Sequence, residues 1–126
     1  VVEWNRGPLG PLTGHPLDDP RTCLVVGDVA DVIRDSESRF DAILLDVDHG
    51  VDSFTMAHNA WLYTPRGLST THRSLRSGGA LAIWTAGTAR TFEGRLRAAG
   101  FIASTHPVRG YKKGGGHYSV LVGRRH

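Results

Sequence analysis

Three carboxylates stand where an α/β chain does its chemistry. Asp28 follows the apolar run Thr22-Cys23-Leu24-Val25-Val26 and Gly27, while Asp46 and Asp48 follow Ala42-Ile43-Leu44-Leu45. In an open α/β sheet, ligands bind outside the carboxyl ends of the strands, so acids at these positions face the ligand. Asp28 has two readings. Its carboxylate can accept a hydrogen bond from an adenine amino group, with Gly27 letting the ring approach the backbone. It can also cap a helix that begins at Val29. Asp46 ends the most apolar run in the chain, which predicts a partly solvated carboxylate able to orient or deprotonate an amine nucleophile. The competing reading is a loop-starting aspartate bonded to its own backbone. Asp48 would add attraction for a cationic substrate.

Other chemistries have less support. Asp46-Val47-Asp48-His49 has the residue types of a metal cluster, but the seven histidines show no i, i+4 pairing, and no metal site is assigned. No Gly-x-Ser-x-Gly elbow is present. Gly114-Gly115-Gly116 joins two strand candidates and so is not a phosphate loop. If the strand from Phe101 runs parallel to the others, that turn, with Tyr111, Lys112 and Lys113, lies at the sheet edge of Asp28 and Asp46. A surface hairpin tip is the simpler reading.

The elements that must position these residues follow from the apolar pattern. Thr22-Cys23-Leu24-Val25-Val26, Ala42-Ile43-Leu44-Leu45 and Ala80-Leu81-Ala82-Ile83-Trp84 lack polar alternation, the pattern of strands covered on both faces. Val29, Val32 and Ile33 mark one face of a short helix. Leu68 and Leu75 mark another helix, ending before Ser77-Gly78-Gly79. Ala89, Phe92, Leu96 and Ala99 mark a third, which Gly100 stops. Strands at 101–108 and 118–122, joined by a short Gly-rich connection, should be antiparallel neighbours. The expectation is an α/β fold with a mostly parallel sheet ending in an antiparallel hairpin. Residues 1–6 read as the last turns of a helix, and the Pro-, Gly- and Asp-rich 9–20 as a loop.

With 126 residues, 40% hydrophobic and 21% charged, the chain has the size and balance of one soluble domain, residues 1–126. No apolar run is long enough to cross a bilayer, and membrane association is not expected. The single cysteine, Cys23, reads as a buried strand residue, and a reduced cytoplasm is the simplest home. The net charge of +3 is too dispersed to mark a nucleic-acid partner. Arg124 and Arg125, with Arg109, Lys112 and Lys113, form the only local cluster, read as a solvated tail and turn.

Taken in order, Asp19-Pro20-Arg21, Gly27-Asp28, Phe40-Asp41-Ala42-Ile43-Leu44-Leu45-Asp46, Leu62-Tyr63-Thr64 with Gly67-Leu68, and Leu75-Arg76-Ser77-Gly78-Gly79-Ala80-Leu81 resemble the spermidine synthase (polyamine aminopropyltransferase) family. The likeness covers roughly 18–81 and, more loosely, the terminal hairpin. It implies a Rossmann-like methyltransferase-type fold that takes decarboxylated S-adenosylmethionine or S-adenosylmethionine as co-substrate, without a metal. It also implies aminopropyl transfer to a small-molecule amine such as putrescine. Asp46 would be the acid-base group, Gly27, Asp28 and Val29 would hold the cofactor, and Asp48 and Tyr63 would bind the substrate. The sequence departs from the family after Asp46, where Val47-Asp48-His49-Gly50 replaces small hydroxyl residues and Asp-Pro. Methyl transfer to another small acceptor, or a non-catalytic associative module on the same fold, therefore stays open.

The family's strand order is 3-2-1-4-5-7-6, and its first two core strands, its Gly-rich loop and its N-terminal β-hairpin domain have no match here. The chain also begins without Met, as if it were the C-terminal portion of something longer. The run 22–26 and the strand ending at Leu45 would then lack the neighbours that normally lie between them and expose sheet edges. The isolated chain should then rearrange, swap or dimerise along the edge into a homo-oligomer, or aggregate, and this portion alone should bind cofactor weakly.

Overall fold

The computed structural model describes residues 1–46, 60–86, 90–109 and 117–126. Two short helices, α1 (Val2–Arg6) and α2 (Gly10–Thr13), and a 3₁₀ turn at Pro16–Asp18 lead into α3 (Val29–Arg34) and β1 (Phe40–Leu45). A second 3₁₀ turn (Ala60–Tyr63) enters α4 (Pro65–Ser74), followed by β2 (Leu75–Ala86), α5 (Arg90–Ala98), β3 (Ile102–Arg109) and β4 (His117–Arg124). The four strands form one sheet in the order β1-β2-β4-β3. β1 and β2 are parallel, and β4 runs against both β2 and β3. Two reversals make β3 parallel to β1 and β2, so Leu45, Ala86 and Arg109 all end at one edge of the sheet. This arrangement is the 4-5-7-6 part of the expected strand order, with its reversed strand in place.

Strict alternation divides the sheet into two faces. Ile43 and Leu45 of β1, Leu81, Ile83 and Thr85 of β2, Leu121 of β4 and Ala103 of β3 are buried. They pack with Ile33 of α3, Leu68 of α4 and Phe92 and Leu96 of α5 into one cluster. The opposite face carries Leu44, 77% exposed, Trp84, 40% exposed, and Ile102, 53% exposed. Among the described residues, helices thus cover one face. The apolar runs of β1 and β2 predict cover on both sides, and their second faces are the ones left in view.

The run 22–26 is not a strand of this sheet. Val25 and Val26 are 67% and 84% exposed, and Cys23 is exposed where a buried strand residue was expected. The reason is cooperative: a strand of a parallel sheet is held by neighbours on each side, and no described strand pairs with this run or with the outer edge of β1.

α4 also ends earlier than its pattern predicts. Leu75, expected on the helix face, opens β2 and is fully buried. The register slips from Phe40↔Leu75 to Ala42↔Ala80, so β2 bulges between these pairs. Gly78 takes φ +79° in the bulge, and a Cβ on Gly79 would lie 2.8 Å from the Arg76 carbonyl oxygen and 3.2 Å from that of Asp41. The glycine pair is there because the chain must turn left-handed and then pass close to β1.

The carboxyl end of α4 is closed by Arg125, which the charge pattern places in a solvated tail. Its Nη1 donates to the carbonyls of His72 at 3.2 Å, Arg73 at 2.8 Å and Leu75. Its backbone N–H donates to Gly79 O at 2.8 Å, and its carbonyl accepts from Gly78 at 2.9 Å. A cation on the orphan carbonyls of a helix end answers both their hydrogen-bonding need and the helix dipole.

Candidate functional site

Asp46 lies one residue past β1, at the edge where β1, β2 and β3 end. It is exposed rather than partly solvated: among the described residues no strand pairs with the outer edge of β1. Beside it, on the face that the helices leave bare, is an apolar hollow of about 220 Å³ lined by Leu44, Leu45, Asp46, Ala82, Trp84 and Val120. Trp84 stacks on Tyr118 with ring centroids 5.5 Å apart and planes 24° from parallel. One carboxylate at the rim of an apolar, aromatic-walled hollow can orient a cationic or amine group while the wall holds an apolar neighbour. Trp84 and Tyr118 were not singled out from sequence. The signal for them was the alternation of Leu81, Ile83 and Thr85 with Ala82 and Trp84, masked by the uniformly apolar run.

Asp28 does cap α3. Its Oδ1 accepts from the Ala30 N–H at 2.8 Å, and its backbone is extended, as an N-cap requires. The capping bond uses one carboxylate oxygen, and the side chain is exposed. A Cβ on Gly27 would meet nothing within 4 Å, so the backbone beside Asp28 is open to a planar ligand. Val29 is half-buried and packs on the core. Asp48 lies outside the described residues, as do His49 and the Tyr111–Gly116 turn. The two ends of that turn, Arg109 and His117, pair at the Asp46 edge of the sheet.

Tyr63 is not at the surface of this edge. It is 7% exposed within the core cluster, edge-on to Phe92 at 5.7 Å. Its hydroxyl has no hydrogen-bond partner among the described residues, and burial pushes the phenol up to about 12. It is therefore a neutral donor that lacks an acceptor among the described residues. Among the described residues, no three His, Cys, Asp or Glu side chains gather as metal ligands, and no helix is long and apolar enough to cross a membrane.

A mostly parallel sheet with one reversed strand near its end, covered here by α4 and α5, defines the S-adenosylmethionine-dependent methyltransferase type of fold. Within that type, the chain is similar to spermidine synthase. It superimposes on a spermidine synthase in complex with the transition-state analogue AdoDATO with a TM-score of 0.73 at 19% identity, over 99% of this chain and 41% of that one. The spermidine synthase of Thermotoga maritima gives the same TM-score at 17% identity and the same coverage. A Burkholderia thailandensis 1,6-didemethyltoxoflavin-N1-methyltransferase gives 0.63 at 21% identity, over 94% of this chain and 56% of that one. The chain thus spans about 41% of the length of the spermidine synthases it matches. No protein-family signature and no curated protein sequence matches it.

Proposed function

We propose that the chain is the acceptor-side portion of a spermidine synthase-like transferase, and that the intact catalyst moves an aminopropyl group from decarboxylated S-adenosylmethionine to a polyamine such as putrescine. The observation that carries this reading is the placement of Asp46 at the carboxyl edge of β1, on the rim of the Leu44–Trp84–Val120 hollow. The co-substrate supplies an electrophilic carbon next to a sulfonium. Asp46 orients the acceptor amine so that its lone pair faces that carbon. As the N–C bond forms and the C–S bond breaks, methylthioadenosine departs with the bonding pair, and Asp46 takes the proton that the nitrogen sheds. Asp28, with its second oxygen uncommitted among the described residues and Gly27 open beside it, is suited to an adenine amino group, and Val29 would floor that position. On the family resemblance Asp48 would bind the substrate, and Tyr63, buried against Phe92, would do so only through its hydroxyl.

The hollow of about 220 Å³ is smaller than the several hundred Å³ that a nucleoside-sized ligand usually fills. The fit to the co-substrate is accordingly partial: Asp28 and Asp46 would serve the adenine and the acid-base step, and no described residue is assigned to the ribose. A methyltransferase of another small acceptor is the second reading, favoured by Val47-Asp48-His49-Gly50 in place of the hydroxyl residues after Asp46. The test is to incubate putrescine with decarboxylated or intact S-adenosylmethionine, using this chain and a version extended upstream. Spermidine and methylthioadenosine from the extended version support the proposal. A methylated amine and S-adenosylhomocysteine support the second reading. No product from either, with cofactor bound or not, leaves an associative module.

A further inference from the structure

On the far side of the helix layer from Asp46, α4 presents an arginine cluster that the transferase reading does not use. Arg66, Thr70 and Arg73 recur at i, i+4 and i+7 and so share one face of α4. With Arg34 of α3 and Trp61 of the second 3₁₀ turn they line a hollow of about 430 Å³. An adjoining hollow of about 410 Å³ shares Arg34, Thr70 and Arg73 and adds Asp35, Ser36 and Glu37.

The three arginines are not equivalent. Arg34 is fixed, with its guanidinium 4.0 Å above the Trp61 ring and its Nη1 2.7 Å from Asp31 Oδ1. Among the described residues Arg73 reaches the Thr70 hydroxyl, at 3.5 Å, and that hydroxyl in turn donates to the Arg66 carbonyl at 2.9 Å. Neither Arg66 nor Arg73 has a carboxylate partner among the described residues, and α4 itself contains no acidic residue. Arg66 also stands in the first turn of α4, where the helix dipole disfavours a cation. Such a local conflict without a compensating acid marks a position kept for something outside the helix. The carboxylates nearby, Asp35 and Glu37, border the second hollow, so an anion is steered to the Arg66 side.

We infer that the hollow between Arg34, Arg66 and Arg73 is a binding site for a small phosphate ester or pyrophosphate. Two planar guanidinium groups without a carboxylate partner among the described residues suit phosphate oxygens in bidentate fashion. The buried Thr70, 8% exposed, and the Trp61 wall give the site a floor and a side rather than an open charged surface. The volume is that of a small ligand, not of a polymer groove. This inference does not depend on the transferase reading.

The test is calorimetric titration of the chain with pyrophosphate, with ribose 5-phosphate and with a single-stranded RNA, at two salt concentrations. Arg66→Gln with Arg73→Gln removes two positive charges at exposed positions, and Arg6→Gln with Arg124→Gln, also exposed, serves as a control of equal net charge. The expected result is saturable pyrophosphate or phosphate-ester binding that the double variant weakens by about tenfold or more and the control leaves unchanged. The two small ligands separate a free inorganic anion from an esterified one. Equal binding by the double variant would overturn the assignment. So would binding of RNA alone, since that would make the cluster a nonspecific polyanion surface.

Discussion

Asp46 has no hydrogen-bond partner among the described residues and lies in the open, so its place in the molecule is not one that folding requires. Asp46→Asn should leave the melting temperature almost unchanged, within about 0.5 kcal/mol of stability. In the extended, active form the same change should lower kcat by about 10²–10⁴, the usual worth of a positioned acid-base group. Tyr63 separates in the opposite way. A buried hydroxyl without a partner is a cost that phenylalanine removes, so Tyr63→Phe should hold the melting temperature or raise stability by about 1 kcal/mol. A weaker KM for the amine in that variant, with the fold intact, would instead put the hydroxyl at the acceptor. The carboxylates were legible from sequence because an acid after an apolar run is a positional signal. Tyr63 was legible only as part of a motif, and a motif does not say which way a ring points.

The elements were legible wherever one face was periodic. Phe92 and Leu96 place α5, the apolar runs place β1 and β2, and the reversed hairpin followed from its short connection. What pattern could not show was where α4 yields to β2, because Leu75 continues the helical period while the bulge at Gly78-Gly79 demands a strand. Nor could a terminal arginine be seen as a cap. Arg125 meets three carbonyls of the α4 end through one nitrogen, so Arg125→Ala should lower stability by about 1–3 kcal/mol. The same contact sets a pH dependence. His72 packs edge-on to Phe101 at 4.9 Å, and its pKa lies below the ordinary 6.5 because burial, and then the Arg125 charge, disfavour the imidazolium. A histidine with a lowered folded value contributes stability that is whole above the unfolded pKa. That stability falls as pH drops through 6.5 and is gone below the folded value. Thermal unfolding between pH 7.5 and 5, to within about the usual histidine range, should therefore show a decline that His72→Gln flattens.

At the scale of the whole molecule, the sheet ends abruptly at β1. Among the described residues its outer edge is unpaired and the face away from the helices carries Leu44, Trp84 and Ile102, while the run 22–26 lies outside the sheet with Val25 and Val26 exposed. The sequence signalled this indirectly, through apolar runs patterned for cover on both faces. It could not show which face the helices would take. An open edge beside an apolar face is a surface on which chains pair, and the spermidine synthases that the chain matches are more than twice its length. Sedimentation of this chain should show an average mass that climbs with concentration, and Leu44→Lys, which places a charge beside the edge, should suppress that climb without lowering the melting temperature. The upstream-extended version separates the two meanings of the surface. If the added residues cover β1, association should disappear and Leu44→Lys should become destabilising, because a lysine would then be buried. If association persists and Leu44→Lys still abolishes it, the edge of β1 is an interface between subunits, and the hollow beside Asp46 borders a second copy of the chain.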